Sequence, residues 1–78
     1  MNRMIKLTYD KSADTAYIYL DNIQPGEVAK TYPCDPTEVD GMINLDFKKN
    51  GVLVGIEIIG ASKKLTKEFL ANAEIIKE

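Results

Sequence analysis

The chain has 78 residues and a mass of 8.7 kDa, room for one domain spanning residues 1–78. Hydrophobic residues make up 45% and charged residues 28%, a balance that excludes collagen-like, disordered and membrane-embedded classes. There is no histidine and a single cysteine, Cys34, which excludes an intrachain disulfide, a zinc finger and a serine–histidine–carboxylate triad. The net charge of −2 speaks against a nucleic-acid partner, because such proteins normally carry a basic excess to neutralise phosphates.

Strict alternation of apolar and polar residues governs the first three quarters of the chain. Met4–Asp10 reads as a strand with Ile5, Leu7 and Tyr9 on one face. Lys11–Asp14 reads as a four-residue turn, since Asp and Ser side chains bond back to nearby amides. Thr15–Leu20 alternates again, with Ala16, Ile18 and Leu20 opposed to Tyr17 and Tyr19. A hairpin through that turn pairs Tyr9 with Ala16, Leu7 with Ile18 and Ile5 with Leu20, keeping one face apolar.

Asp21–Gly26 reads as a turn ending in Pro25-Gly26. Glu27–Tyr32 is a weaker strand, confined to a sheet edge by Pro33 and Pro36, and Asp35–Gly41 is an acidic loop. Met42–Phe47 and Val52–Ile59 form the clearest hairpin. Asn50-Gly51 suits a two-residue type I′ turn, which would set Phe47 against Val54, Leu45 against Ile56 and Ile43 against Ile58. The period then changes. Leu65, Phe69, Ala73 and Ile76 form a helical stripe, with Ser62 or Thr66 as N-cap, and Ala71–Glu78 either continues the helix or frays. The expected fold is α+β: an antiparallel meander of about five strands, with one C-terminal helix packed on the Ile5/Ile18/Leu45/Ile56 face.

Charge is uneven along this order. Residues 1–47 hold four basic and eight acidic side chains, whereas residues 48–78 hold six lysines and four acids. An acidic first half suits a basic partner. Met1–Lys6 lacks the apolar core of a signal peptide, which predicts a cytoplasmic protein with Cys34 reduced. Cys34 has no basic neighbour to activate it.

In the expected register the face opposite the helix carries Asn44, Asp46 and Glu57, a polar cluster in which Asn44 opposes Glu57 and Asp46 opposes Gly55. Two carboxylates there could serve as acid and base or hold a cation; pairing of Glu57 with Lys6 or Lys48 explains it equally. Asp10 and Asp14 offer too few oxygens for calcium, and turn capping accounts for them. Lys63, Lys64 and Lys67 read as a solvated face. Tyr17, Tyr19, Met42, Leu53 and Ile59 share the face of Glu57, and so many large side chains on one sheet face mark an interaction surface.

Two stretches carry a resemblance. Tyr9-Asp10, Ala13-Asp14, Tyr17-Ile18 and Leu20 resemble the opening Y-D-x-x-A-D-x-x-Y-I-x-L of a small prokaryotic family, Domain of Unknown Function 2283. Gly51–Ile59 followed by Ala61-Ser62 resembles its G-x-L-V-G-I-E-I-L-x-A-S hairpin and exit. The proline-bearing Tyr32–Asp40 stretch is longer than the family's pattern. The resemblance implies a single small domain, no catalytic residues to carry over, and a setting beside compact toxin-like proteins in small operons.

The reading that follows is a non-enzymatic interaction module with no cofactor or metal. It acts as a homodimer, or as partner of another small protein in an antitoxin-like or accessory role, through Tyr17, Tyr19, Met42, Leu53, Glu57 and Ile59. Two alternatives stand beside it. One is a small metal-dependent enzyme using Glu57, Asp46 and Asp10. The other is a weak RNA-binding sheet stacking bases on the aromatics.

Overall fold

The computed structural model describes residues 6–76. Six strands and three single-turn helices follow in the order β1 (Lys6–Asp10), β2 (Thr15–Tyr19), β3 (Lys30–Pro33), α1 (Pro36–Val39), β4 (Met42–Phe47), β5 (Leu53–Ile59), α2 (Ala61–Lys64), α3 (Lys67–Leu70) and β6 (Glu74–Ile76). They build one sheet in the order β3-β4-β5-β2-β1-β6.

The first hairpin has the expected register, with Leu7 opposite Ile18 and Tyr9 opposite Ala16. Ile5, expected to face Leu20, lies outside the described residues. The meander is corrected, because β2 pairs antiparallel with β5 and not with β3. The chain therefore leaves β2 in mid-sheet and crosses to the far edge before β3 begins. Within that crossover Pro25-Gly26 makes a turn in which Glu27 N donates to Gln24 O. Gly26 has φ +83°, the left-handed position that glycine takes without steric cost.

Strand β3 is an edge, as expected, but shorter and later than the Glu27–Tyr32 reading. Cys34 N donates to Ile43 O. In an antiparallel ladder the alternate residues Tyr32 and Lys30 then bond inward too, and Pro33 occupies a position whose N–H would point away from the sheet. The acidic loop that follows contains a turn of helix: Asp35 Oδ1 accepts from Thr37 N at 2.9 Å, with Pro36 at the first helical position. Aspartate as N-cap and proline just inside the helix are both preorganised for such a start.

The second hairpin keeps its expected inner register, Ile43 opposite Ile58 and Leu45 opposite Ile56. Its turn differs. Gly51 N donates to Lys48 O and Lys48 N to Val52 O, so the loop has three residues with Gly51 at φ +89°. Phe47 consequently opposes Leu53, and an irregularity beside Asp46/Phe47 restores the register. Val54 is the extra residue, as in a β-bulge.

The single C-terminal helix is also corrected. Leu65 and Thr66 are extended, with ψ 148° and 158°, so the helical stripe breaks between α2 and α3. Thr66 caps α3 by accepting from Phe69 N. The break shifts the phase: Leu65 and Leu70 pack on the core, while Phe69 is exposed. Residues 74–76 then turn back to pair parallel with β1, Tyr9 opposite Ile75. A backbone edge offering unpaired groups outcompetes a frayed helical turn.

The core lies on the Ala16/Ile58 face, where Leu7, Tyr9, Ile18, Ile43 and Ile56 close around Ala16, Ile58 and Ala61. Among the described residues the buried apolar side chains are Ala16, Val54, Ile58 and Ala61, two of them alanines. So little buried volume leaves a domain of this size about 3–5 kcal/mol of stability. Ile58→Ala is expected to remove about 2–4 kcal/mol and leave much of the protein unfolded in urea titration, whereas Val52→Ala, on an exposed side chain, should cost less than about 0.5 kcal/mol.

Candidate functional site

The face opposite the core is organised in three cross-strand rows. Thr15, Ile59 and Met42 form one row, Tyr17, Glu57 and Asn44 the next, and Tyr19, Gly55 and Asp46 the third. The candidate residues Tyr17, Tyr19, Met42, Glu57, Ile59, Asn44 and Asp46 are thus brought together. Leu53 stands apart from these rows, displaced by the bulge to a position opposite Phe47.

The third row depends on a missing side chain. Gly55 has no Cβ, and the Tyr17 ring lies across it to reach the next strand. A Cβ at that position would overlap the Tyr17 hydroxyl and stand 2.5 Å from its Cζ. Through this gap Tyr17 Oη donates to Asp46 Oδ2 at 2.5 Å, while Thr31 Oγ1 donates to Asp46 Oδ1 at 2.7 Å. One carboxylate therefore ties β2, β4 and β3 together across the intervening β5. Burial first, and the bond to Asp46 second, push the Tyr17 phenol well above its ordinary pKa, since a phenolate there would be poorly solvated beside a negative charge.

Glu57 pairs with neither Lys6 nor Lys48. Its Oε1 accepts from Asn44 Nδ2 at 2.8 Å, while Lys6 reaches Glu74 and Lys48 reaches Asp21, each at 3.7 Å. Tyr17 and Tyr19 meet edge-on, their centroids 4.7 Å apart, and the Lys6 ammonium sits 5.2 Å above the Tyr19 ring. A cleft of about 460 Å³ is lined by Tyr17, Tyr19 and Asp46 from the sheet and by Ile23, Pro25 and Val28 from the crossover. The chain's own connection thus flanks the aromatic half of the face. Met42, 51% exposed, leaves the Met42/Ile59 end open.

A second polar constellation binds the two ends of the chain's apolar architecture. Asp14, at φ +50°, accepts from Tyr9 Oη at 2.6 Å and from the Ser62 amide and hydroxyl at 3.0 and 2.8 Å. Its carbonyl accepts from Gly60 N and Ala61 N at 2.8 and 2.9 Å. Asp10 bonds locally, to Ser12 Oγ and Ala13 N. The turn-capping reading describes Asp10, but the Asp14 carboxylate bonds Tyr9 and Ser62 and no amide of its own turn, and the partnership with Ser62 has no signal in local sequence. The two could have been linked only by noting that each belongs to one of the two distinctive motifs.

Of the three lysines read as a solvated face, Lys64 departs: its ammonium donates to Asp40 O beneath Gly41. Cys34 is free and half-buried. Among the described residues no three His, Cys, Asp or Glu side chains converge in a way that could hold a metal ion.

These contacts set two expectations. Gly55→Ala should expel the Tyr17 ring and cost about 1–3 kcal/mol, yet cost far less in a Tyr17→Ala background; a double-mutant cycle in denaturant measures that coupling. The second concerns pH. Hydrogen bonds from Tyr9 and then Ser62 hold Asp14 below its ordinary 3.8, and bonds from Ser12 and Ala13 do the same for Asp10. Their contribution is complete above that value and disappears as pH falls below it, through the lowered values of the folded state. Tyr17 has the opposite sign, stabilising fully below pH 10.0 and losing that contribution as pH rises. Melting temperature should therefore drop at both extremes, with Asp14→Asn flattening the acid limb and Tyr17→Phe the alkaline one.

No described helix is long and apolar enough to cross a membrane. Comparison with the curated proteins and with solved structures finds no match to the chain. A family model described as a protein of unknown function, DUF2283, matches residues 6–62, which takes in both the Asp14–Ser62 clamp and the Tyr17–Gly55–Asp46 crossing. By that match over most of its length, the chain belongs to the DUF2283 family.

Proposed function

We propose that this protein is a non-enzymatic interaction module that works as a subunit, associating with a second copy of itself or with another small protein. One observation carries the reading. Among the described residues Met42, Val52, Phe69 and Ile75 are all more than 40% exposed, whereas of the larger apolar side chains only Val54 and Ile58 are buried. A free-standing domain would invert that proportion, because burial of large apolar groups is its main source of stability. A subunit completes its burial on association.

The chemistry of the sheet face supports the same direction. Asp46 has both oxygens engaged by hydroxyls and Glu57 is bonded to an amide, so the carboxylates serve as internal ties. A general acid or base would instead face the space a substrate occupies. We propose association at the open end of this face, around Met42 and Ile59, with Tyr17, Tyr19 and Glu57 at its border and Leu53 beyond. The acidic first half of the chain suits a basic protein as the alternative occupant, in keeping with an accessory or antitoxin-like role.

Sedimentation equilibrium tests it. The wild-type protein should sediment as a dimer that dissociates on dilution, and Met42→Lys should shift it to the monomer mass with unchanged circular dichroism. A monomer at all concentrations that gains no stability from a basic partner would overturn the reading.

A further inference from the structure

The helical segment α2–α3 covers only part of the core face. Its packing residues, Leu65 and Leu70, lie against the Ala16/Ile58 cluster, away from the Lys30/Phe47 pairing of β3 with β4. There a groove of about 480 Å³ is lined by Lys30, Tyr32, Phe47, Lys48 and Lys49. Lys30 is directly opposite Phe47, and Tyr32 opposite Leu45, so Tyr32 and Phe47 are diagonal neighbours on one surface. Tyr32 is 60% exposed.

Among the described residues no carboxylate lines this groove. Of the acids nearby, Asp21 accepts from Asn22 N at 2.7 Å and pairs with Lys48 at 3.7 Å, a long, solvent-facing contact that a phosphate can replace, and Glu27 accepts from Gln24 N at 2.9 Å. A chain of net charge −2 thus concentrates three of its ten basic side chains around two aromatic rings. The opposite, tyrosine-bearing face cannot play this part, since Asp46 and Glu57 would repel phosphates and the Tyr17 hydroxyl is bound to Asp46.

We propose that this groove binds single-stranded nucleic acid, with bases stacking on Tyr32 and Phe47 and backbone phosphates reaching Lys30, Lys48 and Lys49. Two features favour this occupant over an acidic protein segment. Exposed Tyr32 and half-buried Phe47 present their rings side by side, which suits a planar base better than a branched aliphatic anchor, and lysines flank the rings where a splayed strand would carry its charge. This inference is independent of the association proposed above, which uses the other face.

Fluorescence anisotropy of a labelled eight-nucleotide single strand tests it. Three phosphate contacts predict a log–log salt slope of about −2, so affinity should fall about twentyfold between 50 and 200 mM salt. Tyr32→Ala, at an exposed position, should weaken binding about five- to hundredfold, Lys49→Glu should weaken it at low salt, and Tyr19→Ala on the opposite face should leave it unchanged. A duplex of the same sequence should bind at least about tenfold more weakly, because paired bases cannot stack on the rings. Absence of binding at 50 mM salt, indifference to Tyr32→Ala, or competition by polyglutamate at equal charge would each overturn the assignment.

Discussion

The clamp made by Asp14 is the contact on which the remainder of the architecture hangs. A left-handed residue at the end of a four-residue turn presents both its carbonyl and its carboxylate to the corner where β5 becomes α2. Five donors converge on one residue from Tyr9, Gly60, Ala61 and Ser62. Two hairpins remote in sequence are thereby held side by side, with β2 against β5, and the paired strands bury Ala16 against Ile58. Charge-assisted bonds of this kind are stronger than neutral ones, and a domain with little core has unusual need of them.

The Tyr17–Gly55–Asp46 crossing is the corresponding device on the other face. Ordinary cross-strand contacts join nearest neighbours; here a phenol spans a whole strand because that strand carries no side chain at the crossing point. Together the two devices tie four of the six strands through two carboxylates. This explains why acidic residues recur in positions that, counted along the chain, look like candidate catalytic groups. The sheet is left unevenly covered. Short helices shield one end of the core face, the crossover flanks the aromatic part of the other, and two open areas of different character remain: one apolar around Met42, one basic and aromatic around Tyr32.

Pairing within each hairpin was legible because a one-residue slip moves every apolar side chain to the wrong face. Leu7 with Ile18 and Leu45 with Ile56 followed from alternation alone. The grouping of Asn44, Asp46 and Glu57 on one face followed from the same rule. Less legible was the turn at Asn50-Gly51, where an extra loop residue is cancelled by a bulge at Val54; two compensating irregularities leave the apolar pattern unchanged. The helical stripe misled because Leu65, Phe69, Ala73 and Ile76 carry helical spacing but the intervening Thr66 takes an N-cap conformation. Residues 74–76 answered to the exposed edge of β1, a demand that spacing along the chain does not register.

What the sequence determined by itself is therefore local: which residues alternate, where the turns fall, which strand must lie at an edge, and to which family the motifs belong. Tertiary structure decided the strand order, the conversion of a helix end into β6, and the partners of Asp14, Tyr17 and Glu57. Periodicity records how a segment divides between buried and exposed faces, which each residue type carries with it. Contacts such as Asp14 to Ser62, 48 residues apart, exist only once two segments share space, and nothing in either segment alone specifies the other.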